Sequence, residues 1–199
     1  MKWAVVLALV WLAGCGSGTD RTSPWQIVQD RLTAEPPPAT PSANALRAAL
    51  TPAALAQIDG PVLLVQVPLR GTVAVMTRVA SNQGVDTYMS GDSISISLRE
   101  GVLVATRGMG FDLMIADIRA AASAIATGSG HATRIHRYLN GEGHSRAVRY
   151  ECRYHLEGGT VTELCEGSGQ TFSNTYSENV SMQWVSPRNG SLIIEWLKR

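Results

Sequence analysis

The chain has 199 residues, with 17 Lys and Arg against 16 Asp and Glu, a formal net charge of +1 at pH 7. A near-neutral balance provides no whole-molecule field for steering toward nucleic acid or anionic lipid, so only a local patch could serve such a partner. Nineteen glycines, abundant Ser and Thr, and Val- and Ile-rich stretches between glycine-bearing turns favour β structure.

Lys2 precedes an unbroken apolar run from Trp3 to Ala13. At about eleven residues the run is too short to cross a hydrocarbon core, which needs roughly 20, and it has the form of a secretory h-region. It closes on Leu12-Ala13-Gly14-Cys15, which resembles the lipobox of bacterial lipoproteins. That resemblance implies a signal peptide of residues 1–14, cleavage before Cys15, and a thioether-linked diacylglycerol on its sulfur. The exported remainder, about 185 residues, suffices for one domain with a real core. Loss of Lys2 takes the formal charge to about zero.

Residues 15–50 are expected to be a tether. Gly16, Ser17 and Gly18 are flexible, and Pro36-Pro37-Pro38 with Pro41 stiffen the distal part. Ser23 as N-cap and Pro24 at N1 can start a short helix, whose Trp25, Ile27 and Leu32 would dock on the membrane surface or on the domain. Fully extended, the tether reaches roughly 80 to 120 Å. Residues 51–199 are expected to be a single β-rich domain. It opens with Thr51 and Pro52 starting a helix toward Ile58, preceded by the helix-prone Asn44 to Leu50.

Strands follow. Pro61 to Val67 is continuously apolar and predicts a buried strand. Thr72 to Val79 alternates, Val85 to Met89 is short, and Ile94, Ile96 and Leu98 alternate with Ser93, Ser95 and Ser97. Val102 to Thr106 returns after the Glu100-Gly101 turn. The glycines at 108 and 110 break that strand, Asp112 is placed to cap, and Leu113 to Ile125 predicts the principal helix, ended by Gly128.

The last third predicts a meander. Thr133 to Leu139 and His144 to Leu156 flank the Asn140–Gly143 turn. Val148, Tyr150, Cys152, Tyr154 and Leu156 alternate with Arg149, Glu151, Arg153 and His155. Gly158-Gly159 makes a two-residue hairpin loop. Counting outward from Glu157 opposite Thr160 sets Cys152 opposite Cys165, in a non-hydrogen-bonded pair whose Cα atoms approach to about 4.5 Å. A disulfide tolerates that spacing, and an exported chain keeps one. The alternative is two separately buried thiols. Gln170 to Val185, the turn Ser186–Gly190 and Ser191 to Leu197 complete the chain. The expected fold is therefore mainly β: an antiparallel curled sheet of about 8–11 strands, half-barrel or barrel-like, packed around one principal helix.

Candidate chemistry is sparse. His131, His136, His144 and His155 lack metal-ligand spacing and are expected to be exposed strand residues, although His136 and His144 face each other across a turn. Two cysteines without C-x-x-C spacing make a poor zinc site, so no metal and no cofactor are expected. Ser168 lacks a nucleophile-elbow frame. Asp112 with Asp117, and Glu163 with Glu166, do not share faces. Arg134, Arg137, Arg146, Arg149 and Arg153 crowd one hairpin, and Arg149, Arg153 and His155 share its polar face. That face could hold an anionic glycan or a partner's acidic surface, or be a solvated face with Arg–Glu pairs. No internal repeat, nucleotide loop or nucleic-acid motif is present.

Several stretches together resemble one family. They are the lipobox, Gly60 to Val65, Gly101 to Leu113 with its Thr-Arg-Gly-x-Gly-x-Asp-Leu run, Gln183-Trp184-Val185-Ser186-Pro187 with Asn189-Gly190, and Glu195-Trp196-Leu197. They are similar to the YjbF type of the group 4 capsule polysaccharide lipoproteins (YjbF/GfcB family). The resemblance covers most of the chain after about Thr51. It implies an antiparallel half-barrel with a helix, a lipid anchor, a periplasm-facing domain and genes for exopolysaccharide or capsule export nearby. It supplies no catalytic residues. Gly16 after the lipidated cysteine, where an aspartate would signal inner-membrane retention, implies the outer membrane.

Two functions are carried forward. One is a non-enzymatic accessory in polysaccharide secretion that contacts the glycan or the export proteins. The alternative is a periplasmic glycan-modifying enzyme with a cleft in the curled sheet, where Asp86, Asp92, Glu100 and Asp112 could converge.

Overall fold

The structure is a computed structural model and describes residues 41–139 and 142–199. The expected signal peptide, Cys15, the Ser23 helix and most of the tether lie outside the described residues, as do Asn140 and Gly141. Residues 40–199 form one compact unit.

Ser42 Oγ accepts the Ala45 amide at 3.1 Å and opens α1 (Ala43–Ala49). Thr51 Oγ1 accepts the Ala54 amide at 3.2 Å and opens α2 (Pro52–Ala56), with Pro52 where its missing N–H costs nothing. Twelve strands follow: β1 (Val62–Val67), β2 (Thr72–Asn82), β3 (Val85–Met89), β4 (Ser95–Arg99), β5 (Val102–Arg107), β6 (Leu113–Asp117), β7 (Ser129–Leu139), β8 (Ser145–Glu157), β9 (Thr160–Gly167), β10 (Gln170–Tyr176), β11 (Val180–Ser186) and β12 (Gly190–Lys198). A third helix, α3 (Arg119–Thr127), sits between β6 and β7.

All twelve strands belong to one antiparallel sheet, ordered β5-β4-β3-β2-β1-β12-β11-β10-β9-β8-β7-β6. The first and last strands pair in its middle, so the edges are β5 and β6, which are consecutive in sequence. A flat sheet of this size would hold its edges roughly 50 Å apart. The linking residues 108–112 can span at most roughly 20 Å. The sheet must therefore curl until its edges meet, and it is a nearly closed barrel.

This corrects the expected helix from Leu113 to Ile125. Residues 113–117 form β6 and pair with β7, Ala116 opposite His136 and Asp117 opposite Ile135. Helix and strand both suit an apolar Leu-Met-Ile run. The free edge of β7 decides between them, because it would otherwise leave a row of backbone groups unpaired. The helix is the shorter α3, and Asp117 rather than Asp112 accepts its opening amide, from Arg119 at 3.1 Å. Its buried residues are Ala121 and Ala124. Its C-terminus packs so closely on the β8–β9 hairpin that a Cβ on Gly128 would lie 2.6 Å from Leu156 Cβ.

Strand β1 is buried on both faces. Leu63, Val65 and Val67 enter the barrel core. Val62 and Leu64 face outward and are still fully buried. Their cross-strand neighbours are Lys198 and Glu195. Arg47 of α1 donates to both Glu195 carboxylate oxygens, and Lys198 Nζ donates to the carbonyls of Leu55 and Ile58. Helices α1 and α2 are thereby held over the outer face of β1, which is why this strand lacks alternation.

The β8–β9 hairpin has the counted register: Glu157 opposite Thr160 and Cys152 opposite Cys165. Gly158 and Gly159 both take positive φ, 56° and 78°, as a two-residue hairpin turn of this hand requires. A disulfide joins Cys152 and Cys165, whose Cα atoms lie 4.0 Å apart.

Candidate functional site

The Thr-Arg-Gly-x-Gly-x-Asp-Leu run is the seam of the barrel. Thr106 Oγ1 donates to Asp112 Oδ1 at 2.8 Å and accepts the Leu113 amide at 3.0 Å. The amides of Gly108 and Met109 donate to the same Asp112 carboxylate at 3.1 and 3.2 Å. Arg107 reaches across to the carbonyls of Leu113 and Met114. Side chains therefore do at the β5–β6 junction what a backbone ladder does elsewhere in the sheet.

The Gln-Trp and Asn-Gly stretches complete the same closure. Gln183 is buried on β11, accepts the Leu103 amide at 2.6 Å and donates to the Gly101 carbonyl at 2.8 Å. It so occupies backbone groups of β5 and of the turn before it. Asn189 donates to the carbonyls of Gly110 and Phe111 and accepts from Arg70 at 2.6 Å. Arg188 lies over the Phe111 ring at 3.8 Å. The loop at 108–112 is thus fastened to the β11–β12 turn.

The interior carries a charged cluster. Arg134, Glu163 and His136 are 2%, 0% and 0% exposed. This corrects the expectation that Arg134 belongs to a solvated basic face and that His136 is exposed. Glu163 Oε2 accepts from Arg134 (2.6 Å), Asn174 (2.5 Å) and Tyr176 (2.8 Å), and Oε1 accepts from Tyr154 at 2.5 Å. Burial alone would lower the Arg134 pKa, but Tyr176 and Glu163 outweigh it and hold it above its ordinary value. Burial raises the Tyr154 and Tyr176 phenols, which stay protonated as donors. Glu163 also lies close to Cys152 and Cys165, but both thiols are consumed by the disulfide.

Beside it runs a neutral chain. Tyr150 donates to Gln170 Oε1 at 2.9 Å, and the Trp184 indole donates to the Tyr138 oxygen at 3.3 Å. The 3.2 Å contact of Tyr138 with Tyr150 then needs the Tyr138 proton. His136 Nδ1 must supply the proton of its own 2.9 Å bond to Tyr138. The ring is therefore the neutral Nδ1–H tautomer, and burial followed by the nearby Arg134 charge hold its pKa well below 6.5. Its Nε2 finds no partner among the described residues. Phe172 stacks between His136 and Trp184, with centroid distances of 5.6 and 5.5 Å.

The residues expected on the polar face of β8 are there. Arg149, Arg153 and His155 are all exposed. Arg149 pairs with Glu151 at 2.8 Å, and this bond and that of Thr133 hold the Glu151 carboxyl below its ordinary pKa. Arg153 lines an open groove of about 870 Å³ with His131, Leu164, Glu166 and Thr171. Glu151 and Glu166 offset Arg153 there, so the groove is no basic patch. Glu163 points in and Glu166 out, as parity predicts.

A second cleft, of about 420 Å³, lies at the end of the barrel opposite the 108–112 loop. Antiparallel order brings alternate turns to this end: Glu100-Gly101, Ser177-Glu178, the end of β12 and α3. Asp86, Tyr88, Glu100, Glu178, Trp196 and Arg199 contribute to its wall. Of the four carboxylates expected to converge, Asp86 and Glu100 are here. Asp112 is in the seam, and Asp92 accepts from Ser90 in the β3–β4 turn. Tyr88, fully buried, stands edge-on to Trp196 at 5.9 Å. Burial, then the Asp86 charge, raise its pKa, and its hydroxyl finds no partner among the described residues. Tyr88, Glu178 and Arg199 were not singled out from sequence, and Trp196 entered only as part of the family-like tail. The available signal was topological: every second turn of a meander shares one end.

The family profile described as "Group 4 capsule polysaccharide lipoprotein gfcB, YjbF" matches residues 42–197. Among solved structures, the hypothetical lipoprotein YmcC from Escherichia coli is similar, with a TM-score of 0.64 at 10% identity, covering 91% of this chain and 98% of that one. At that identity the likeness concerns the fold. No curated protein matches by sequence.

Proposed function

Because the chain belongs to the group 4 capsule polysaccharide lipoprotein (YjbF/GfcB) family, we propose that it is a membrane-anchored, periplasm-facing accessory of exopolysaccharide or capsule secretion, without catalysis of its own. In this reading Cys15 carries the lipid, residues 1–14 are the signal peptide, and the anchor sits in the outer membrane. Residues 15–50 form the tether and its approach to the barrel, and residues 51–199 the body. The match over 42–197 carries the reading. The seam supports it: Thr106, Asp112, Gln183 and Asn189, four polar residues of the family-like stretches, are engaged in closing the sheet.

The body would work by holding position, with its exposed Arg149, Arg153 and His155 row available to the polysaccharide or to export proteins. The test is a deletion strain grown under inducing conditions. Secreted polysaccharide falls sharply, wild-type protein restores it, and Cys15→Ser does not. Unchanged secretion in the deletion strain overturns the reading.

One observation favours a second reading, a glycan-modifying enzyme: Asp86 and Glu100 share a cleft. Incubating the protein with the isolated polysaccharide and finding new reducing ends, lost with Glu100→Gln, would establish it.

A further inference from the structure

We propose that the barrel-end cleft binds a short run of uncharged or amino-bearing sugar residues. The inference rests on the polysaccharide reading above and names the chemistry of the chain it would hold. Three features of the wall carry it. The Tyr88 hydroxyl is buried in the wall without a partner among the described residues. An unsatisfied buried hydroxyl is costly, and a ligand hydroxyl entering the cleft would satisfy it. Asp86, Glu100 and Glu178 present carboxylates, which only accept, and sugar hydroxyls are abundant donors. Trp196, half-buried and backed edge-on by Tyr88, supplies an aromatic wall against which the C–H face of a sugar ring can pack.

The charge of the wall selects among sugars. Asp86, Glu100, Glu178 and Arg199 line the cleft, and Arg78 pairs with Asp86 at 3.7 Å, so carboxylates still outnumber guanidinium groups. Such a cleft repels uronate or phosphate groups and accommodates neutral hydroxyls or ammonium groups. Arg199 lies over the Trp196 ring at 4.9 Å and donates to the Glu178 carbonyl. It bridges two walls of the cleft, and a sugar stacking on the exposed face of Trp196 displaces it. The volume falls within the roughly 300–1,000 Å³ of small-ligand sites.

The test uses the full-length protein in lipid nanodiscs, followed by calorimetry and tryptophan fluorescence. Four probes are titrated: oligomers of N-acetylglucosamine, oligomers of glucosamine, hyaluronan oligomers, and a lysine-rich hexapeptide. The expected result is saturable binding of a neutral or amino-sugar oligomer, with the uronate oligomer and the peptide at least about tenfold weaker. Tyr88→Phe and Glu178→Gln each weaken binding by about tenfold, and Arg119→Gln, on α3 away from the cleft wall, leaves it unchanged. Tyr88→Phe removes an unpartnered hydroxyl and keeps the ring, so its Tm stays at or above wild type and lost binding is not lost folding.

No saturable binding of either sugar class, a preference for hyaluronan or the peptide, or binding indifferent to Tyr88→Phe and Glu178→Gln overturns the proposal. A blank titration beside a secretion-defective deletion strain removes the cleft assignment and leaves the secretory role. A binding cleft in a strain whose deletion leaves secretion intact does the reverse.

Discussion

Arg134 donates to Glu163 at 2.6 Å across the barrel interior, from β7 to β9, and neither side chain reaches water. Four donors converge on the two Glu163 oxygens, so the desolvated carboxylate is fully satisfied. Removing one partner of such a pair leaves the other charge buried alone. Arg134→Ala or Glu163→Gln should therefore cost about 3–5 kcal/mol in urea unfolding. The double variant Arg134→Met with Glu163→Leu should recover most of that loss, because it removes both desolvation penalties together. Additive losses in the double variant would show that the two side chains do not compensate each other.

The disulfide closes a short loop, with a separation of 13 residues. Chain entropy assigns it about 3 kcal/mol. Replacing both cysteines by alanine should lower stability by about that amount without changing the strand content seen by far-UV circular dichroism.

His136 makes the fold acid-sensitive. Its folded pKa lies well below 6.5, because burial and then Arg134 disfavour the imidazolium. The unfolded chain binds the proton first, so the His136 contribution is complete above about pH 6.5 and is lost as pH falls below it. His136→Phe keeps the stack on Phe172 and removes the titration. Its unfolding free energy should be flatter than wild type between pH 6.5 and 5. An unchanged slope would mean that another group sets the acid limb.

The seam predicts a local effect. Asp112→Ala strands the amides of Gly108 and Met109 and the Thr106 hydroxyl, at about 1–3 kcal/mol for the buried groups. Hydrogen exchange should quicken first in β5 and β6, the two strands with a free edge, and last in β1 and β12. Uniform quickening across the sheet would refute the seam assignment.

Sequence patterning was most informative where one face is wet. The strict alternation from Val148 to Leu156 and the Gly158-Gly159 loop specified the β8–β9 register down to the cysteine pair. It was misleading on β7, where Arg134 and His136 point inward and Ile135, 43% exposed, points outward. Parity alone cannot choose a face when polarity is inverted. Glu163 could have been placed, because it shares its face with Cys165. Its partner Arg134 could not, because the β7–β8 register depends on a longer turn. The Leu113–Asp117 strand was illegible for a different reason: an apolar run suits either period, and the β7 edge that selects the strand is a tertiary feature. The cleft was half legible, through Asp86 and Glu100 near turns.

We propose that Cys15 fixes the barrel to the outer membrane. Acyl chains contribute roughly 0.8 kcal/mol per buried methylene, enough with more than one chain for stable anchoring. The most direct measurement is the mass of the protein recovered from fractionated membranes. The expected result is an outer-membrane species beginning at Cys15, heavier than the bare chain by a diacylglycerol and an N-acyl group. A soluble species retaining Met1, with a free thiol at Cys15, would contradict it.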